Sequence, residues 1–220
     1  MRRRQLTALL GLPLLDPLDG RAAQARQSWF IFLETGRKTP DDKEAVSAMQ
    51  RGHIANFVRL FDLGALQAAG PMRDPAGLKR GIVIVQADSR EELTSYFQPD
   101  DYVREGYMTL NATPARVNKT LNTTGIDTTS IEEGRIVMIG RDASAPTPEM
   151  QKARSAMLQA LVERGTFGAW YTLESGPLAE VLFTRSNDTE ALREALSGYP
   201  DLAASSLEIW GQWLSKGVVS

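Results

Sequence analysis

The sequence contains no cysteine and a single histidine, His53, and this scarcity removes several classes of site. Without cysteine the chain forms no disulfide, binds no metal through thiolates and has no cysteine nucleophile. With one histidine it has no HExxH motif and no two-histidine iron triad. A glycine-rich phosphate loop and the Gly-x-Ser-x-Gly turn of serine hydrolases are also missing. We therefore expect no metal and no organic cofactor.

The charged residues are nearly balanced, with 25 basic and 27 acidic side chains and a net charge of −2 over 220 residues. Beyond the extreme N-terminus the basic residues form no cluster, and a surface that binds polyanions needs one. We therefore expect no nucleic acid partner and take an unknown small organic ligand as the expected partner. The 42% of hydrophobic residues is ordinary for one or two compact domains.

Residues 1–25 have the order of an export signal peptide. Arginines at positions 2–4 precede an apolar run over residues 6–15, and the segment ends in Ala-Gln-Ala at 23–25, which suits a signal peptidase. The apolar run is too short to span a bilayer, so we expect no stable membrane insertion after signal removal. The pair Arg3-Arg4 resembles the twin-arginine signal, which predicts a periplasmic or secreted protein. A disordered basic tail is the alternative.

Two stretches of the chain, residues 39–71 and 147–177, repeat one pattern. Each begins with Thr-Pro, continues through an amphipathic helix to a Gly-Ala step, and returns through a short strand to Gly-Pro. Such internal similarity is typical of a duplicated module.

The elements predicted around these stretches follow the order strand, helix, strand, strand, helix, strand, and they do so twice. In the first copy we expect strands at 28–33, 65–69, 81–87 and 107–110, with helices that begin at Thr39 and Ser89. In the second copy we expect strands at 135–140, 167–173, 178–184 and 207–213, with helices that begin at Thr147 and Asp188. This is the ferredoxin-like βαββαβ order, which belongs to the α+β class.

A βαββαβ unit leaves one face of its sheet bare, and two units packed sheet to sheet would cover both faces within one chain. The predicted organisation is therefore a signal peptide at 1–25, a first unit at 26–117, a linker at 118–134 and a diverged second unit at 135–220. The linker range is rich in Thr, Asn and Gly. Since the second unit could replace a partner subunit, both a monomer and a homodimer stay open.

His53 lies on the apolar stripe of the first predicted helix, together with Val46, Met49, Phe57 and Leu60. One interpretation is a core histidine whose ring nitrogens are satisfied by backbone groups or by one carboxylate. The other is an acid/base residue in a pocket, because histidine exchanges a proton near neutral pH.

Three blocks of the first unit resemble the YCII-related family of dimeric α/β-barrel proteins. They are the run from His53 to Leu60, the segment from Leu63 to Pro71 followed by Asp74 and Gly77, and residues 100–107. The last block is similar to the family ending Asp-Pro-Tyr/Phe-x-x-x-Gly, although Asp101 precedes Tyr102 where the family usually has a proline.

This likeness covers about residues 28–117, and the second half matches only as a diverged copy. The resemblance implies a histidine and an aspartate in a pocket between helix and sheet, which by position are His53 and Asp74. It also implies that some members catalyse eliminations such as dehydrochlorination of aromatic compounds, while most members have no assigned reaction.

The second unit has no counterpart of this pair. Opposite His53 stands Arg154 if Gly64 is aligned with Gly165, or Met157 if the Gly-Ala steps are aligned. Neither side chain acts as a general base, so we expect the chemistry in the first unit. Arg154 is a candidate for binding an acidic substrate at a pocket rim.

Three functions are compatible with these residues. The first is a lyase or isomerase that uses His53 and Asp74 without metal or cofactor. The second is a non-catalytic pocket for a small organic ligand, and the third is a structural or interaction protein in which His53 is part of the core.

The N-terminal pattern predicts cleavage after Ala25. Protein isolated from its native host should begin at or near Arg26 in mass spectrometry, because the residues before this point fit a signal peptidase. Replacing Arg3 and Arg4 with lysine should hold the precursor in the cytoplasm if the twin-arginine route is used. Abundant soluble protein that retains Met1 would contradict the prediction.

Overall fold

The computed structural model describes residues 26–202 and 207–220, so the predicted signal at 1–25 lies outside the described residues. Within these ranges the strands are β1 (Gln27–Thr35), β2 (Leu66–Pro71), β3 (Lys79–Ala87), β4 (Met108–Lys119), β5 (Asp127–Gly140), β6 (Ala169–Leu173), β7 (Leu178–Thr184) and β8 (Leu207–Lys216). The helices are α1 (Lys43–Asp62), α2 (Arg90–Tyr96), α3 (Asp101–Arg104), α4 (Pro148–Glu163) and α5 (Thr189–Ala195). None of these described helices has the length and apolarity needed to cross a membrane.

The strands form one antiparallel sheet in the order β2-β3-β1-β4-β6-β7-β5-β8. Both halves of the sheet have the same internal order. In β2-β3-β1-β4 and in β6-β7-β5-β8, the second strand of the half is followed by its third, first and fourth strands. The outer strands β2 and β8 approach each other through a bridge between Met72 and Gln212, and Arg73 N donates to Gly211 O at 2.9 Å. The chain is therefore an α+β protein whose sheet curls into a nearly closed barrel.

The inside of the barrel is an apolar core built from both halves. Phe30 and Phe32 of β1 face it from the first half, and Tyr171 and Phe183 face it from the second. The ring centroid of Phe30 lies 6.1 Å from that of Tyr171 and 6.3 Å from that of Phe183. The two halves thus join edge to edge in one sheet and cover each other's inner face.

The helices cover the outside of the barrel, one set for each half. Trp29, Ile31 and Leu33 alternate with the inward residues of β1 and pack in a second core that includes Leu60 of α1. A third core forms in the same way under α4 in the second half. Because β1 is covered on both faces, it appears in the sequence as a continuous hydrophobic run.

The two long helices begin differently. Helix α4 has Thr147 as its N-cap with Pro148 next to it, as the sequence predicted. The prediction of a start at Thr39 is wrong for α1, whose N-cap is Asp42. Its carboxylate accepts hydrogen bonds from the N–H groups of Glu44 and Ala45, and an aspartate is a strong cap at this position.

The ends of these helices are equivalent and show how the halves correspond. Leu63 and Arg164, the two C-cap residues, each donate their N–H to the carbonyls four and two residues earlier. His53 lies ten residues before Leu63, and Arg154 lies ten residues before Arg164. The position equivalent to His53 is therefore Arg154 rather than Met157.

The segment predicted as a linker, 118–134, is largely strand. Strand β4 continues to Lys119 and β5 begins at Asp127, so the connection between the halves covers residues 120–126. The polar composition of this range reflects the exposure of the two strand ends, since most of residues 127–135 are exposed or half-buried.

Two glycine substitutions should have opposite effects on stability, because Gly70 lies where β2 approaches β8 and Gly52 lies on α1 with open space beside it. A Cβ atom at Gly70 would overlap the carbonyl oxygen of Trp213, so Gly70→Ala should destabilise the fold by about 1–3 kcal/mol. A Cβ atom at Gly52 on α1 would meet nothing closer than Asp101 Oδ2 at 4.0 Å, so Gly52→Ala should stabilise it by about 0.5–1 kcal/mol. Urea unfolding measures the free energy of unfolding of both variants. A Gly70→Ala variant as stable as Gly52→Ala would contradict the close approach of β2 to β8.

Candidate functional site

His53 is held in the middle of α1 on the face turned toward the sheet. Its residue surface is 6% exposed. Two aromatic rings pack against the imidazole edge to face, Phe57 with centroids 4.5 Å apart and Tyr102 with centroids 5.6 Å apart. These contacts fix the plane of the ring.

A buried carboxylate is hydrogen-bonded to this ring. Asp100 Oδ2 lies 2.6 Å from His53 Nδ1, and Asp100 is 0% exposed. The other oxygen, Oδ1, accepts the N–H of Tyr102 at 3.0 Å, because Asp100 is the N-cap of α3. One carboxylate therefore caps a helix and orients the histidine at the same time.

Further hydrogen bonds attach α1 to the segment that precedes Asp100. Asn56 Nδ2 donates to Tyr96 O at 3.1 Å. The Arg59 guanidinium donates to Asn56 Oδ1 and, at 2.7 Å, to the same Tyr96 carbonyl. Asn56 lies about one turn and Arg59 nearly two turns along α1 from His53, so these bonds attach the same helix to the segment that leads to Asp100.

The arrangement favours one form of the imidazole. A carboxylate next to Nδ1 favours the tautomer in which Nδ1 carries the hydrogen, and Nε2 then keeps a lone pair. In the described part of the chain Nε2 makes no hydrogen bond. A ring that is oriented at one nitrogen and free at the other is the geometry of a general base.

A cavity of about 390 Å³ opens beside this ring, between α1 and the seam where β2 approaches β8. Helix α1 contributes Gln50, His53, Ile54 and Phe57 to its wall. The strands contribute Leu33 from β1; Ala69, Gly70 and Pro71 from β2; Arg80, Gly81 and Ile82 from β3; Met108 from β4; Ile131 from β5; and Trp213, Leu214 and Ser215 from β8. The volume suits a small organic molecule.

The cavity is mainly apolar with few polar groups. Gln50, His53, Arg80 and Ser215 are the polar side chains on its wall. The remaining lining residues are aliphatic, aromatic or glycine, which is the common composition of sites for organic ligands.

Asp74, the aspartate predicted to orient His53, lies elsewhere and is used by its own turn between β2 and β3. Its carboxylate accepts N–H bonds from Ala76 at 2.8 Å, Leu78 at 3.0 Å and Lys79 at 2.7 Å. Partial burial acts against ionisation, but these hydrogen bonds outweigh it and lower the pKa of Asp74. The structure therefore assigns the orienting contact to Asp100, because Asp74 is committed to closing a turn.

Arg154, predicted at the pocket rim, is not among the residues that line this cavity. Its side chain is buried in the second half, where it donates to Asp142 and, at 3.1 Å, to Pro200 O. Its Cζ lies 5.4 Å from the ring centroid of Tyr199. Burial alone would lower the pKa of Arg154, but the hydrogen bond and the attraction to Asp142 raise it overall.

The sequence draws attention to Asp100, but residue spacing alone does not predict its contact with His53. Asp100 lies in the block at 100–107 that resembles the YCII-related family, and in the structure it directly precedes α3, where a carboxylate is a preferred cap. It is 47 residues from His53, so their meeting depends on how the loop before α3 packs against α1. No trio of Asp, Glu or His side chains in residues 26–202 and 207–220 is grouped as ligands for a metal ion.

Comparison with solved structures shows the fold. A candidate monooxygenase from Lactobacillus acidophilus NCFM aligns with a TM-score of 0.50 and 10% identity, over 89% of this chain and 98% of that chain. A candidate monooxygenase from Fusobacterium nucleatum subsp. nucleatum ATCC 25586 aligns with a TM-score of 0.49 and 8% identity, over 89% and 94% of the two chains. An anthrone oxidase-like protein aligns with a TM-score of 0.47 and 15% identity, over 88% and 92%.

No protein-family model matches the chain, and no curated protein matches it. Membership of the YCII-related family is therefore not confirmed. At 10% identity the first of these structures supports the α/β-barrel fold alone.

The geometry predicts that His53 reacts in the folded protein. The unprotonated nitrogen of an imidazole attacks a carbonyl carbon of diethyl pyrocarbonate, and the cavity gives the reagent a route to His53. Since the chain has one histidine, mass spectrometry should find a single ethoxycarbonyl group on His53. Ser215→Trp, which would partly fill the cavity from β8, should slow the modification. Reaction only after denaturant is added would show a sealed ring.

Proposed function

We propose that the chain binds a small, largely apolar organic molecule in the cavity and that His53 acts on it as a general base. The observation that supports this most directly is the buried His53–Asp100 hydrogen bond beside a cavity of about 390 Å³. The reaction class that needs these groups alone is a proton transfer of the lyase or isomerase type, without metal or organic cofactor.

The proposed step moves one proton and one electron pair. Nε2 of His53 takes a proton from a carbon next to an electron-withdrawing group of the ligand, and the electron pair of the broken C–H bond enters the ligand. In an isomerisation the imidazolium returns the proton at another carbon; in an elimination a leaving group departs with its bonding pair. Asp100 stabilises the imidazolium and keeps the ring oriented through Nδ1.

The enclosing side chains support the same assignment. Phe57 and Tyr102 hold the imidazole in place. The ring therefore loses little further conformational freedom when a ligand binds. A ligand that covered the apolar walls would displace water from them, and electrostatic contacts around it would then be stronger than in bulk water. The likeness to the monooxygenase structure is one of fold alone, so it assigns no oxidation reaction to this chain.

We also propose, from the sequence blocks around His53, that the chain is a tandem YCII-like protein made of two ferredoxin-like units. The common strand order of the two halves and their matching helix ends support a duplication. Export to the periplasm or beyond the cell, through the pattern in residues 1–25, is a further proposal.

Deuterium exchange of a carbon acid tests the proton transfer. 2-Tetralone is an aromatic ketone of suitable size, and NMR in D2O follows loss of its C1 protons. The wild-type chain should accelerate exchange over buffer on the order of 10²-fold or more, the usual range for a positioned base. His53→Gln should return the rate to that of buffer, because the accepting nitrogen is lost.

The two aspartates provide the matched comparison. Asp100→Asn should slow exchange on the order of 10²-fold, since an amide no longer stabilises the imidazolium. Asp74→Asn should leave the rate unchanged, because its side chain serves the β2–β3 turn. Binding of 2-tetralone to the wild type without faster exchange would contradict the enzyme proposal and favour a non-catalytic ligand pocket.

A further inference from the structure

Arg80 is a charged residue on the cavity wall, and it forms no salt bridge with residues 26–202 and 207–220. In the described ranges its guanidinium takes part in no salt bridge or side-chain hydrogen bond, and the residue is exposed. An arginine offers up to five N–H donors in a planar fork that fits a carboxylate or an enolate oxygen. Its donors are therefore available to a molecule in the cavity.

Arg80 lies at a β-bulge of β3. In the pairing of β1 with β3, Leu33 is opposite Gly81 and Glu34 is opposite Lys79, so Arg80 is the extra residue. The Arg80 carbonyl still accepts the N–H of Met72 at 3.1 Å, which fixes its backbone to the seam beside the cavity. Bulges of this kind re-aim a side chain, and they are frequent next to active sites.

The second half contains the same bulge without the arginine. In the pairing of β5 with β7, Ile139 is opposite Glu180 and Gly140 is opposite Leu178, which leaves Ala179 as the extra residue. The bulge thus belongs to the frame that both halves share. The cation at Arg80 occurs in the half that also holds His53 and Asp100, as a ligand-directed role would require.

We infer that the ligand is an apolar organic anion whose acidic oxygen is bound by Arg80. The inference rests on the proposed function of the cavity and adds the class of molecule that it takes. The apolar part of the ligand would lie against Phe57 and Trp213. At the mouth, Ile54 and Ile131 are 51% and 70% exposed, and a bound apolar molecule would cover part of that surface.

A pair of aromatic probes that differ in charge tests this inference. 2-Naphthoate and 2-naphthamide have nearly the same shape, but the acid is an anion at neutral pH. Isothermal titration calorimetry of the wild type should show tighter binding of 2-naphthoate. Arg80→Gln should weaken 2-naphthoate about ten-fold and leave 2-naphthamide unchanged, and Arg80→Lys should fall between wild type and Arg80→Gln.

Arg51→Gln is the matched control, because Arg51 is an exposed arginine on α1 outside the cavity wall and its replacement changes the net charge equally. It should bind both probes like the wild type. Equal affinity of the wild type for acid and amide, or an Arg80→Gln variant that keeps the preference, would overturn the anion assignment while leaving the pocket in place. Failure of both probes to bind would contradict the proposed pocket itself.

Discussion

The apolar interior that the two halves share is the constraint from which the rest of the structure follows. Each half presents one inner sheet face, and that face is covered by the other half: rings of β1 meet rings of β6 and β7 across the barrel. Burial of apolar surface, to which these rings contribute, is the dominant favourable term in folding, so the two halves depend on each other for stability. Their union also decides where the ends of the sheet meet, and this meeting line is where the cavity lies.

The two seams between the halves differ, and this difference makes the site asymmetric. At one seam β4 pairs with β6 over four residue pairs; at the other, an isolated bridge from Met72 to Gln212 joins β2 and β8. A seam held by one bridge and the hydrogen bonds beside it, rather than by a paired ladder, leaves room between the strand edges and the helix above them. Helix α1, with His53, lies beside this open seam. Helix α4, with Arg154, belongs to the second half, whose strand β6 is paired with β4 at the other seam. A similar frame therefore supports a cavity on one side and a filled interior next to Arg154, whose guanidinium is bound by Asp142 and Pro200.

Hydrophobic periodicity was sufficient for most of the fold, because strands and helices with buried faces have characteristic apolar spacing. Strand β7 has the predicted bounds, and α1 buries Met49, His53 and Leu60 of its predicted stripe. Two of the predictions that were wrong depend on competition between polar groups. Asp42 replaced Thr39 as the helix cap, and Asp100 rather than Asp74 binds His53, since backbone N–H groups already occupy the Asp74 carboxylate. Sequence spacing does not show which of several carboxylates a loop will commit to its own turn.

The burial of Asp100 is better explained by chemistry than by stability. Removing a carboxylate from water is costly, and a buried polar pair is often no more stabilising than well-packed apolar residues of similar size. Glu180 shows the structural use of such a group: burial raises the pKa of its carboxyl group, and it accepts hydrogen bonds from Trp170 and Thr172 on the neighbouring strand. Asp100 differs because its partner is an imidazole that borders a cavity and whose Nε2 makes no hydrogen bond to residues 26–202 and 207–220. If the His53 ring must accept a proton from a bound molecule, its orientation by Asp100 is a functional reason to keep a carboxylate whose burial costs stability.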